Sequence, residues 1–178
     1  LGTFDIMRYM IPYHEGKKEH QKSLEIRDSV FYGTLFLNLF IVEGLIIFAF
    51  VMNYEFHVQV GLIAMAFVVI ISWYYENFVV LLKSYQNFNL ITSTFYLKAT
   101  ITFALTVVLI YFYKIYGAYL AFLLSFGIIA LYLRLRYPSP TPYAKFKYSI
   151  FADLVIKGFP IMLYNFTAIL INTSDRII

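Results

Sequence analysis

The sequence contains no cysteine and few charged residues. Because none of the 178 positions is cysteine, neither a disulfide framework nor a thiolate metal site is available. Charged residues make up 13% of the chain, whereas soluble domains contain roughly a quarter. A soluble fold of this size presents a polar surface to water, and so few charges could not cover one. The composition therefore excludes a soluble globular domain.

Motifs for catalysis and metal binding are also missing. The sequence has no glycine-rich phosphate loop, no G-x-S-x-G nucleophile motif and no array of paired carboxylates. His14, Glu15, Glu19 and His20 lie close together, but their spacing fits neither His-Glu-x-x-His nor its inverted form. We interpret this charged run as a solvated cytoplasmic helix or loop. The sequence thus predicts a protein that is not an enzyme and holds no metal or cofactor.

Long apolar runs dominate what remains. Hydrophobic residues make up 61% of the chain and aromatic residues 21%. A helix needs about 20 mostly apolar residues to cross the hydrocarbon core, where each backbone group must be satisfied within the segment. Five runs have that length: 30–52, 58–82, 92–113, 115–133 and 154–178. The sequence predicts an all-α integral membrane protein, a polytopic bundle with about five transmembrane helices. The short connections 53–57 and 114–116 predict two tight antiparallel pairs.

The basic residues lie unevenly on the two sides of these spans. Residues 1–29 carry five Lys or Arg, residues 83–98 carry two and residues 134–149 carry four, whereas Lys114 alone lies on the opposite side. The positive-inside rule therefore places the N-terminal segment in the cytoplasm. The net charge is +4. Because the basic residues lie at the ends of apolar runs, they orient the helices, and we predict no nucleic-acid partner.

Proline suggests the domain organisation. Pro138, Pro140 and Pro142 favour an extended linker, because proline fixes φ and lacks an N–H donor. We predict four segments. They are the end of a preceding helix plus a cytoplasmic loop (1–29), four transmembrane helices of one bundle (30–133), a cytoplasmic linker (134–151) and the first helix of a second bundle (152–178). Because the chain opens on leucine and closes on an apolar run, we expect it to be a piece of a longer protein.

Two of the first four spans carry polar residues that need an explanation. Glu43 lies near the middle of the first span, where a charged carboxylate costs at least about 2.5 kcal/mol. It is either an ion-coupling carboxylate or a neutral acid bonded to a neighbouring helix. Lys98 and Thr102 belong to a stripe with Thr94 and Thr106 at four-residue steps. This stripe lines a hydrophilic pathway, or its threonines bond to their own helix while Lys98 snorkels.

The fifth span combines a hinge motif with a polar face. Gly158 and Pro160 predict a loosened or kinked helix near its cytoplasmic start. Farther along, three polar residues share one face with Asp175 beside them: Asn165, Asn172 and Arg176. That face is either solvated and turned toward a substrate or a polar seam between helices.

Two segments resemble a known family. Leu1-Gly2-Thr3-Phe4-Asp5, followed by Arg8, Ile11-Pro12-Tyr13 and Gly16-Lys17, resembles a helix end and cytoplasmic loop of polysaccharide or oligosaccharide flippases. Ile156-Lys157-Gly158-Phe159-Pro160, ending in Ser174-Asp175-Arg176, resembles their seventh helix. These flippases form the Wzx-like polysaccharide transporter branch of the MOP superfamily, which also contains lipid II flippases and MATE exporters. The resemblance implies two bundles of about six helices around a cavity of alternating access.

The resemblance also implies a function. Such a protein moves a polyprenyl-pyrophosphate-linked oligosaccharide from the cytoplasmic to the outer leaflet of the cell membrane, with possible coupling to H⁺ or Na⁺. Under this hypothesis the cations Arg8, Lys98 and Arg176 contact the pyrophosphate, Thr102, Asn165 and Asn172 line the cavity, and Glu43 and Asp175 couple ions or pair with the cations.

Three alternatives stay open. A cation-coupled multidrug exporter on the same scaffold accounts for Glu43 but not for Lys98 or Arg176. A membrane-embedded glycosyl- or acyltransferase of the cell envelope requires a His or acidic cluster at a membrane face. A structural or assembly subunit gives no reason for the polar residues within the spans.

Overall fold

The chain folds into helices. A computed structural model describes residues 2–52, 54–137 and 146–174. Of these residues, 92% lie in five helices and none lies in a strand. The helices are α1 (Thr3–Gly16), α2 (His20–Val51), α3 (Phe56–Ser84), α4 (Phe88–Arg136) and α5 (Tyr148–Ser174). All but α1 are long and apolar enough to cross a membrane. The prediction of an all-α polytopic membrane protein is confirmed.

The 49-residue helix α4 contains two crossings. Its residue Lys114 has a non-helical backbone, with φ 52° and ψ −125°. Ile91 in the first half and Leu133 in the second half belong to one buried cluster with Leu82 of α3. In a straight helix the first two would stand about 60 Å apart, at 1.5 Å per residue. The chain therefore reverses at Lys114, and the third and fourth predicted spans form an antiparallel pair.

Small residues permit the two halves of α4 to pack closely. A Cβ atom on Gly117 would overlap the carbonyl oxygen of Leu109. Ala121 and Ser125 follow at four-residue steps and are fully buried. Between helices in lipid, association depends on such close backbone approach because there is no hydrophobic driving force.

One compact unit contains the described residues from 34 to 137. Its core joins α3 to both halves of α4 through Tyr75, Phe78 and Ile129, with the other members of the cluster around them. The indole N–H of Trp73 donates to the Thr34 hydroxyl at 2.9 Å, which ties α2 to the later part of α3. At the other end of α2, the ring of Phe48 lies 5.9 Å from that of Tyr54 in the short connection that leads into α3. Consequently α2 and α3 run antiparallel, as predicted.

A second compact unit contains residues 2–33 and 146–174. The Lys147 ammonium contacts the Glu25 carboxylate at 2.6 Å, and the Lys147 backbone N–H donates to the Ser29 hydroxyl at 3.4 Å. The turns of α2 before residue 34 therefore pack with the start of α5, and α2 contributes to both units.

The segment predicted as a loop up to residue 29 is helical from His20 onward. The physical reason is burial: Ser23 and the five consecutive residues 26–30 are buried, and a buried backbone satisfies its hydrogen-bonding groups in a helix. Of the predicted linker 134–151, residues up to 136 lie in α4 and residues from 148 lie in α5. Its three prolines fall outside the described residues.

The close approach at Gly117 gives a test of the hairpin in α4. Gly117→Ala should destabilise the folded protein by about 1–3 kcal/mol, the usual cost of overpacking, because the added methyl group would displace the Leu109 carbonyl. Gly127→Ala is the matched control, since a Cβ atom there meets nothing within 4 Å. Thermal unfolding in detergent measures both variants, and equal midpoints would contradict the reversal at Lys114.

Candidate functional site

A polar cluster centred on Asp5 joins α1 to α5. One carboxylate oxygen of Asp5 lies 3.5 Å from Nη1 of Arg8, and the other accepts a hydrogen bond from the Asn165 side-chain amide at 3.4 Å. Two candidates far apart in sequence, Arg8 and Asn165, thus meet on one carboxylate. We call these three residues the Asp5 cluster.

The guanidinium of Arg8 is only partly engaged in this cluster. Its side chain is 39% exposed, and its Nε is buried without a hydrogen-bond partner among the described residues. A strong charge-assisted bond from a guanidinium to an oxyanion is about 2.7–2.9 Å long, so the 3.5 Å contact with Asp5 is a loose one. Arg8 therefore keeps N–H groups that could donate hydrogen bonds to a second anion.

Two glycines bring α1 against α5 beside the Asp5 cluster. Gly2 adopts φ 67°, and a Cβ atom on it would overlap the backbone carbonyl of Gly158. Only glycine combines this backbone conformation with that approach at no steric cost. The helix α5 continues through Gly158 and Pro160, although Pro160 has no N–H for the Ile156 carbonyl. The hinge at these two residues stays a prediction.

The stripe on the first half of α4 has a different environment. Nζ of Lys98 lies 4.2 Å from the ring centroid of Tyr75 and 4.0 Å from that of Phe126. The Thr94 hydroxyl donates to the Leu90 carbonyl at 2.6 Å, so this threonine bonds to its own helix. The hydroxyl oxygen of Thr102 is buried and has no hydrogen-bond partner in the part of the chain that the structure describes.

A groove of about 510 Å³ runs along this stripe. It is lined by Phe95, Lys98, Ala99, Thr102, Phe103 and Thr106. The groove belongs to the unit of residues 34–137, whereas the Asp5 cluster belongs to the unit of residues 2–33 and 146–174. The sequence-predicted residues therefore form two separate groups.

The remaining candidates are only partly visible. Glu43 is exposed on α2, and no residue within 2–52, 54–137 or 146–174 makes a hydrogen bond or ion pair with its carboxylate. Asn172 lies on α5, but its side chain falls outside the described part, as do Asp175 and Arg176 entirely. Whether these three share a surface with Asn165 stays a prediction.

Comparison with known proteins leaves the site without a precedent. No protein-family model, curated protein or solved structure matches this chain. The multi-pass membrane architecture therefore stands on the helices themselves, and the flippase resemblance stays a hypothesis that rests on its two motifs.

Sequence reasoning missed the partner that holds Arg8. Asp5 was predicted only as part of a family motif, although its spacing of three residues from Arg8 places both on one helical face. That spacing could have indicated the ion pair. The hydrogen bond from Asn165 to Asp5 had no such signal, because it depends on how α5 packs against α1.

The turn between α1 and α2 is more ordered than the predicted solvated run. Nδ1 of His14 lies 2.8 Å from the Glu19 carboxylate, which Lys22 also contacts at 3.1 Å. His20 at the start of α2 contacts the carboxylate of Glu15 near the end of α1. A cavity of about 350 Å³ lies beside this turn, lined by Met10, His14, Lys22, Glu25, Ile26, Ser149, Ile150, Asp153 and Leu154. Hydrogen bonds from His14 and Lys22 hold the pKa of the Glu19 carboxyl below its ordinary value of 4.5.

This lowered pKa predicts a pH dependence. A carboxyl whose pKa falls on folding stabilises the protein fully above its unfolded pKa and loses that contribution as the pH falls through the folded pKa. Glu19→Gln should therefore lower the midpoint of thermal unfolding at pH 7, and the difference from the unmodified protein should shrink as the pH falls below 4.5 and disappear below the folded pKa of Glu19. Glu55→Gln is the control, since Glu55 is 82% exposed and contacts a single histidine at 3.3 Å. A difference for Glu19→Gln that persists unchanged in acid would contradict the assignment.

The approach of Gly2 to Gly158 predicts a local effect on the Asp5 cluster. Gly2→Ala should separate the start of α1 from α5, because the methyl group would overlap the Gly158 carbonyl in an unfavourable backbone conformation. Cross-linking between cysteines introduced at positions 5 and 165 should then become slower. Gly16→Ala, where a Cβ atom meets open space, should leave the rate unchanged, and equal rates in both variants would refute the contact.

Proposed function

We propose that this chain belongs to a transporter that moves a lipid-linked oligosaccharide from the cytoplasmic to the outer leaflet of the cell membrane. Three observations support this function. The chain supplies five apolar crossings, its basic residues orient the N-terminal segment toward the cytoplasm, and its two motifs resemble polysaccharide flippases. A polyprenyl-pyrophosphate carrier is the substrate class that this resemblance implies.

The Asp5 cluster is the single observation that carries the proposal. A sugar head group cannot cross about 30 Å of hydrocarbon unaided, so the protein has to supply polar groups along the route. Arg8 provides a partly exposed guanidinium with a buried Nε that has no hydrogen-bond partner among the described residues, and Asn165 adds an amide on the facing helix. Such donors suit a pyrophosphate, which accepts charge-assisted hydrogen bonds.

Asp5 acts as the counter-ion of Arg8 while no substrate is bound. While no substrate is bound, its carboxylate neutralises part of the Arg8 charge at 3.5 Å. A pyrophosphate carries more negative charge than one carboxylate and competes for the same guanidinium. Exchange of one anion for another permits binding and release without leaving an unpaired cation in a membrane protein.

Glu43 supports coupling of the transport to an ion. Its carboxylate is exposed near the middle of a crossing, with no ion pair to any described residue, so its position in the bilayer requires a polar neighbour or a bound cation. The same feature fits the alternative of a cation-coupled multidrug exporter. Dependence of glycan export on Glu43 would distinguish the two, because the exporter alternative requires transport of cationic or apolar compounds instead.

A charge-matched pair of variants tests the role of Arg8. Arg8→Gln in the full-length protein should reduce glycan export by about 10- to 100-fold, the equivalent of the 1.5–3 kcal/mol typical of a hydrogen bond to a charged group. Lys18→Gln removes one positive charge from the same cytoplasmic segment, at an exposed position, and should leave export unchanged.

Complementation of cells that lack an O-antigen-type exporter measures both variants, with immunoblotting to establish equal membrane levels. If Arg8→Gln and Lys18→Gln export equally well, Arg8 does not contact the substrate. If the unmodified protein fails to complement with any such glycan, the proposed function itself is wrong.

A further inference from the structure

Lys98 lies within a predicted membrane span, where its positive charge needs a counter-charge or another stabilising contact. It lies six residues after Thr92, the predicted start of its span, which is about 9 Å along the helix axis. An ammonium group at this depth is costly unless it reaches water, a counter-charge or another source of electron density. Its surroundings in the structure therefore indicate what it binds.

Two aromatic rings supply part of that compensation. Tyr75 of α3 and Phe126 of α4 hold Nζ at cation–π distances of 4.2 and 4.0 Å. Within the described ranges, Lys98 makes no ion pair, and no side chain or carbonyl accepts a hydrogen bond from it. Glu76, whose charge acts on Lys98 from α3, is exposed and forms no ion pair with it. The ring faces balance the charge in part but leave the N–H donors unused.

The groove beside Lys98 has the composition of a site for an anionic amphiphile. Its side chains are apolar except for one ammonium and two threonine hydroxyls, and none of the six described lining residues is acidic. Thr102 is one of the lining residues, but its hydroxyl oxygen is buried below the surface of the groove. A second cation, Lys83, stands 5.9 Å from the ring of Phe95 at one wall.

The walls of the groove open toward lipid. Phe95 and Phe103 are 46% and 73% exposed, and exposed phenyl rings on a membrane-crossing helix contact hydrocarbon chains. A molecule of the bilayer itself can therefore enter the groove sideways, with its chain already in the hydrocarbon. A water-soluble anion would first have to leave water for that environment.

We propose that this groove binds an anionic phospholipid of the bilayer. The head-group phosphate accepts hydrogen bonds from the Lys98 ammonium, while the upper part of one acyl chain lies along Phe103, deeper in the span. The phosphate supplies the hydrogen-bond acceptors that the two rings cannot supply. This site does not depend on the transport function, because it lies in the unit of residues 34–137 and uses none of the Asp5 cluster.

Native mass spectrometry of the full-length protein in neutral detergent tests the proposal with phosphatidylglycerol and phosphatidylcholine of equal chain length. The protein should retain phosphatidylglycerol in preference to phosphatidylcholine. Lys98→Gln should lower the retention of phosphatidylglycerol about fivefold, the equivalent of roughly 1 kcal/mol for one lysine at an anionic lipid. Lys98→Arg, which keeps the charge, should retain most of the preference.

Lys157→Gln is the matched control. It removes one positive charge from another crossing, where Lys157 already pairs with Asp153 at 2.5 Å, and it should not change lipid retention. Phe103→Ala should leave the stability of the fold unchanged, because this exposed ring contributes little to the core. It should weaken phosphatidylglycerol binding while thermal unfolding stays unchanged.

Three results would overturn the proposal. The first is equal retention of phosphatidylglycerol and phosphatidylcholine by the unmodified protein. The second is an equal effect of Lys98→Gln and Lys157→Gln. The third is retention of a polyprenyl phosphate at Lys98 that phosphatidylglycerol does not compete with, since the groove would then take the carrier lipid instead of a bilayer phospholipid.

Discussion

The need to satisfy every backbone N–H and C=O group within hydrocarbon determines this structure. Because lipid offers no hydrogen bonds, the chain crosses as helices, and departures from helical geometry are confined to particular residues. Lys114 reverses the chain within α4, where a charged residue marks the end of one apolar run and the start of the next. Pro160 removes one hydrogen bond inside α5, yet the helix continues past it. The reversal and the proline are therefore local features of α4 and α5.

The polar side chains within the crossings follow the same constraint to different degrees. Thr94, Asn77 and Ser84 satisfy themselves locally, since each donates to a carbonyl four residues earlier at 2.6–3.0 Å. Such residues need no partner and imply no function. Lys98 obtains only ring faces, and Glu43 has no partner among the described residues. The incompletely satisfied groups are the ones from which a function can be argued, because the energetic cost of their position has no other explanation.

Sequence reasoning succeeded where one physical quantity decides the outcome. Length and apolar content predicted each crossing, and the connection of three residues at 114–116 predicted the hairpin in α4. The helical form of residues 20–29 was not predicted, because this stretch combines charges with buried residues that an average hydropathy over the segment conceals. That Arg8 and Asn165 both contact Asp5 was beyond prediction, since hydropathy does not determine which side chains α1 and α5 bring together. That choice depends on close contacts such as the one between Gly2 and Gly158.

The Asp5 cluster and the groove beside Lys98 differ in how they would bind an anion. At Arg8 a counter-charge already exists, so an arriving anion would compete with Asp5 for the guanidinium, and Asp5 would compensate the charge again when the anion leaves. Such an exchange keeps both binding and release inexpensive, which a transport site requires, because binding that is too favourable in one state would slow release in the next. At Lys98 no ion pair among the described residues has to be broken, so an anion adds to the site, although the charge of Glu76 offsets part of the attraction. A permanently bound lipid fits the second arrangement, and a transported substrate fits the first.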